Sequence, residues 1–156
     1  MEKKRLVLLV FVMVLGLGFG LRVNGLAGAS DIPLPSDINI IPPATDLPKE
    51  LTAFSGKWTG TWGGRLDVIL IVEQIDQTKA MVVYAWKSKT GLPGFYRRTA
   101  RVTIGKRPVL EFDGITQATT LEFQMNEDLK SLSGKWAFTG KRMGAKDAYI
   151  TMERMN

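Results

Sequence analysis

Thr119-Thr120-Leu121-Glu122-Phe123-Gln124-Met125 switches between apolar and polar at every step from Thr120 onward. A period of two belongs to a strand with one face in a core and the other in water. Leu121, Phe123 and Met125 then share one face, and Thr120, Glu122 and Gln124 the opposite one. Upstream the pattern returns: Ala100, Val102 and Ile104 alternate with Arg97, Thr99, Arg101 and Thr103. Short β-rich runs bounded by glycine, lysine or asparagine turns predict strands at 56–62, 66–75, 79–86, 98–104, 109–112, 119–125, 132–138 and 148–153. The run 68–72 is apolar on both faces, which leaves the direction of Glu73 open. Eight successive short strands predict a meander. The sheet must close on itself or pack on a second layer, and with no long amphipathic helix to cover its dry face, closure is the simplest solution. The expected fold is all-β, a small antiparallel up-and-down barrel of about eight strands within residues 51–156.

An internal echo supports that reading. Leu51, Ser55, Gly56, Lys57 and Trp58 recur as Leu129, Ser133, Gly134, Lys135 and Trp136 at an offset of 78 residues. The echo covers one strand only, so it predicts two equivalent strand starts rather than a duplicated domain. Gly56 and Gly134 permit a bulge or a close approach, and the indoles of Trp58 and Trp136 are expected to plug the interior.

The run Phe54-Ser55-Gly56-Lys57-Trp58-Thr59-Gly60-Thr61-Trp62 resembles the first strand of calycin barrels, the lipocalin and avidin group, in which a Gly-x-Trp opens the barrel. The likeness implies that Arg154, in phase with Ile150 and Met152, stacks over Trp58 as a structural contact. It also implies a bias toward small-ligand binding. The polar set with which avidins hold biotin has no counterpart here, so biotin is not implied.

Barrels of this kind bind at an open mouth with aromatic walls and a few polar anchors. Trp62, Tyr84 and Trp86 fall near strand ends, and Tyr96 lies beside the Gly91-Leu92-Pro93-Gly94 turn. Arg98 has the parity of Ala100 and Val102, which predicts an inward-facing cation at the rim. These five residues form the candidate ligand site. Its expected guest is a small apolar or amphipathic molecule. A second constellation is the basic run Lys87, Lys89, Arg97, Arg98, Arg101, Lys106 and Arg107, suited to an anionic polymer or an envelope protein. On that alternative the barrel is solid and its basic outer face makes the contact.

The chain has neither cysteine nor histidine. That excludes disulfides, thiolate or Ser-His nucleophiles and nearly all conventional zinc, copper and non-haem iron sites. No metal and no cofactor is expected. The carboxylates Asp67, Glu73, Asp76, Glu111, Asp113 and Asp147 are the one catalytic type left, and their spacing selects no acid-base pair, so the expectation is a non-enzymatic protein.

Glu2, Lys3, Lys4 and Arg5 precede an uncharged, largely apolar stretch from Leu6 to Leu21, followed by small residues at Ala27 and Ala29. This is the layout of an export signal at 1–29, cleaved after Ala29. The competing reading is an uncleaved membrane anchor, the only route by which membrane contact is expected. Removal of 1–29 takes away four cations and one anion, so the formal charge falls from +6 to +3. The expected location is secreted or periplasmic, and export argues against nucleic acid. Pro33, Pro35, Pro42, Pro43 and Pro48 make residues 30–50 a semi-extended linker, whose isoleucines are free to dock on the domain or on a partner.

Overall fold

The computed structural model describes residues 32–116, 118–138 and 147–156. The expected export signal and its cleavage position lie outside the described residues. A one-turn helix, α1 (Lys49–Thr52), precedes eight strands: β1 (Gly56–Trp62), β2 (Leu66–Ile75), β3 (Lys79–Ser88), β4 (Gly94–Thr103), β5 (Val109–Asp113), β6 (Thr119–Met125), β7 (Ser131–Phe138) and β8 (Ala148–Arg154). Each pairs antiparallel with the next, and β8 returns to β1 through Arg154 opposite Trp58 and Glu153 opposite Thr59. The sheet is a closed eight-stranded up-and-down barrel, in which β4 and β5 touch through three residue pairs only.

Alternation fills the inside as expected. Leu121, Phe123 and Met125 are buried while Thr120, Glu122 and Gln124 are half-exposed. Two details differ. Ile104 falls in the β4–β5 turn and is 55% exposed, because β4 ends at Thr103 and the pleat no longer carries parity inward. The Ser-Gly-Lys-Trp echo does not mark equivalent strand starts. Gly56 opens β1 with φ of +117°, whereas β7 begins at Ser131 and Gly134 is its fourth residue.

The doubly apolar run in β2 is explained by two layers. Val68, Leu70 and Val72 enter the barrel, and Ile69 and Ile71 join Val83 and Ala85 on the outer wall. Ile32, Leu34, Ile38 and Ile40 of the proline-rich segment pack over that wall, with Met155. The segment is also tied by polar bonds. Ile41 N donates to Glu73 O at 2.7 Å, Asn39 N donates to Glu73 Oε1 at 3.2 Å, and Arg97 bridges Glu73 Oε2 (2.8 Å) and Asp37 Oδ2 (3.0 Å). Glu73 is therefore outward-facing yet buried, satisfied by a guanidinium and a backbone donor. A register shift between Val72 and Gln74 follows, which turns Ile75 back into the core.

The hairpins β2–β3, β4–β5 and β6–β7 lie at the end carrying α1, and β1–β2, β3–β4, β5–β6 at the other. At the α1 end, here the floor, Leu51 and Phe54 are buried, and Trp58 Nε1 donates to Phe54 O at 2.9 Å. The Arg154 guanidinium lies 4.3 Å above the Trp58 ring and donates to the carbonyls of Ser55 and Ala53. The floor turns are held by aspartates: Asp76 accepts from Thr78 N and Lys79 N, and Asp128 from Lys130 N and Ser131 N. No helix among the described residues is long and apolar enough to cross a membrane.

Candidate functional site

Register decides what gathers at the opposite end, the mouth. Tyr84 stands across from Tyr96, Trp86 from Gly94, Trp62 from Leu66 and Leu121 from Trp136. Strand parity turns Trp62, Tyr84, Tyr96, Phe112, Phe123 and Trp136 toward one another. The Tyr84 ring is 5.6 Å from Tyr96, 6.0 Å from Phe112 and 6.3 Å from Trp86, and Trp62 meets Trp136 edge-on at 6.0 Å. Trp62 Nε1 donates to the Tyr84 hydroxyl at 2.8 Å. Burial pushes the Tyr84 phenol well above its ordinary range, partly countered by that indole donor, and burial does the same to Tyr96.

All five candidate ligand residues thus meet at one end, in different settings. Trp62 and Tyr84 are buried, Trp86 and Tyr96 half-buried, and Arg98 exposed. Arg98 does not enter the interior. Pairing between β4 and β5 is confined to Arg101–Thr103 with Val109–Glu111, so residues 94–100 border a seam. At this seam the Arg98 guanidinium folds over the Tyr96 ring at 4.8 Å. Phe112, Phe123 and Phe138 belong to the same aromatic cluster and were missed as mouth residues, although the parity of Phe123 was readable. The echo leads to the expectation that Trp136 plugs the interior. Its strand position, two residues from the end of β7, makes it half-buried instead.

Two polar atoms in this cluster are buried without a hydrogen-bond partner among the described residues: the Tyr96 hydroxyl and the Trp136 Nε1. A cavity of about 10 Å³ lies between Leu66, Tyr84, Gly114, Ile115, Leu121 and Trp136, room for about one water.

Elsewhere the charges largely serve the fold. Arg101 pairs with Glu111, Lys106 with Glu127 at 3.9 Å, and Lys135 with Asp147 at 3.1 Å, while Arg107 Nη2 donates to Asn126 Oδ1 at 2.7 Å. The outer basic run is thereby mostly engaged by this chain's own acceptors. Among the described residues no group of three or more acidic side chains is placed to hold a metal ion. The two glycines of the echo sit at close approaches of side chains. A Cβ on Gly134 would lie 2.5 Å from Ile150 Cγ2, and one on Gly56 2.9 Å from Arg154 Nη1. Comparison with family models, with curated proteins and with solved structures finds no match to this chain.

Proposed function

We propose that this chain is an exported, non-enzymatic binding module whose aromatic mouth takes an amphipathic molecule with a hydrogen-bond-accepting, anionic head. The reading is carried by the buried Tyr96 hydroxyl and Trp136 N–H left without partners among the described residues. Each such donor costs on the order of 1–3 kcal/mol, which an acceptor on a guest offsets. Arg98 beside Tyr96 supplies the matching positive charge. The ring walls suit an apolar portion. The calycin-type likeness of residues 54–62, with Arg154 over Trp58, adds weight to small-ligand binding.

The test is titration with medium-chain carboxylates against the matching alcohols, read by tryptophan fluorescence, together with native mass spectrometry of protein purified from its own host. Saturable quenching by the carboxylate, reduced in Arg98→Gln, is expected. Silence in both measurements removes the reading. The small cavity favours a second one, in which a solid barrel serves as an envelope interaction protein. That reading expects no titration response and a stable complex in envelope extracts. Export itself is checked by N-terminal sequencing of the mature protein, expected to begin at Ser30.

A further inference from the structure

Leu92 is 89% exposed, the most solvated large apolar side chain among the described residues. Its loop is not slack. Trp86 Nε1 donates to Leu92 O at 3.2 Å, and Ser88 Oγ accepts from Thr90 N at 3.1 Å and Gly91 N at 2.7 Å. The leucine is held out in water by a loop tied from beneath. Phe95, Ile115 and Phe138 are 45%, 47% and 39% exposed at the same end, on β4, the β5–β6 turn and the end of β7. Leu92, Phe95, Ile115 and Phe138 share this end, against Ile41, Met81 and Ile104 toward the other, and such an exposed apolar group calls for a partner.

Charge says which. Lys89 in the same loop and Arg65 in the neighbouring β1–β2 turn are exposed. Of the acids at this end, Asp67 accepts from Thr61 Oγ1 at 2.7 Å and Asp147 pairs with Lys135, leaving Asp113 as the third. Shape narrows it further. The apolar residues sit on separate loops and strand ends at a tip, which offers a partner protein little flat area but which a bilayer surface can enclose.

We propose that this tip docks peripherally on an anionic bilayer, with Leu92 and Phe95 entering the headgroup boundary and Lys89 and Arg65 meeting lipid phosphates. The proposal stands on the exposed rim, independently of any guest in the mouth.

The absence of cysteine makes the test direct. In the full chain, Leu92→Cys carries an environment-sensitive fluorophore, and Ile104→Cys, exposed at the floor end, carries the same label as a control. With vesicles of phosphatidylcholine plus phosphatidylglycerol, the label at position 92 is expected to shift to the blue and the label at 104 to stay unchanged. Phosphatidylcholine alone should give a much smaller shift. Lys89→Gln on the Leu92→Cys background should lower vesicle partition about fivefold. Two aqueous labels on bound vesicles would mean that residues 1–29 alone hold the membrane, and would overturn the proposal. So would two shifted labels, which report non-specific adsorption. A shift at position 92 that grows with protein concentration without vesicles assigns the tip to a second copy and also overturns it. The carboxylate titration is read separately, so failure of either reading leaves the other standing.

Discussion

Trp58 and Trp136 share the lead-in Ser-Gly-Lys and finish in opposite circumstances. Trp58 is fully buried at the floor, its N–H given to Phe54 and its face covered by Arg154. Trp136 is half-buried at the mouth, its N–H without a partner among the described residues, stacked on the exposed Phe138. Local sequence is the same; position along the strand differs. The floor satisfies its indole N–H with its own chain, while at the mouth the Trp136 N–H and the Tyr96 hydroxyl have no partner among the described residues.

The sharpest way to break the comparison is truncation at both ends. Trp58→Ala should cost about 4 kcal/mol and Trp136→Ala about half of that, measured by urea unfolding. Equal losses would mean that the mouth is packed as tightly as the floor. Gly134→Ala comes next: its methyl meets Ile150 and Phe123, and about 2 kcal/mol of overpacking is expected in the same measurement.

Smaller effects separate the two tyrosines. Tyr84→Phe removes the acceptor of the Trp62 N–H and should lose about 1 kcal/mol, whereas Tyr96→Phe deletes an unpartnered hydroxyl and should leave stability unchanged or up to about 1 kcal/mol higher. Carboxylate affinity should nonetheless fall in Tyr96→Phe. A destabilised Tyr96→Phe would reveal a partner for that hydroxyl and undo the binding reading.

Titration divides the ends by pH. Tyr84 and Tyr96, raised by burial, contribute stability that is full below the unfolded phenol value near 10 and lost as pH climbs through the folded ones. Asp76 and Asp128 at the floor turns, lowered chiefly by backbone donors, contribute stability present above the unfolded carboxylate value near 3.9 and lost as pH falls through the folded ones. Asp37, lowered by the Arg97 hydrogen bond, acts in the same direction. Hydrogen exchange should therefore show the mouth loosening first in alkali and the floor turns first in acid.

Strand number and order were legible from alternation over residues such as 119–125, and closure was the simplest solution for a dry face with no helix to cover it. Boundaries were less so. The start of β4 at Gly94 was hidden because Phe95 and Tyr96 are both aromatic and interrupt the alternation, and only cross-strand pairing with Ala85 and Tyr84 reveals it. The five candidate mouth residues were found from strand ends, and Arg98's place at a seam was not, because parity assumes a neighbouring strand that is missing there. The outward burial of Glu73 also escaped, since it depends on Arg97 and on a segment more than thirty residues away in sequence.

That segment bears on how the protein is handled. Its prolines invite an expression boundary at Leu51, shortly before β1. A chain started there would bare Ile69, Ile71, Val83 and Ala85 as a flat greasy panel and strip Glu73 of its backbone donor. Closure removes strand edges as sites of runaway pairing, yet such a panel would let barrels stack wall to wall. For this molecule, the practical unit of solubility begins no later than Ile32.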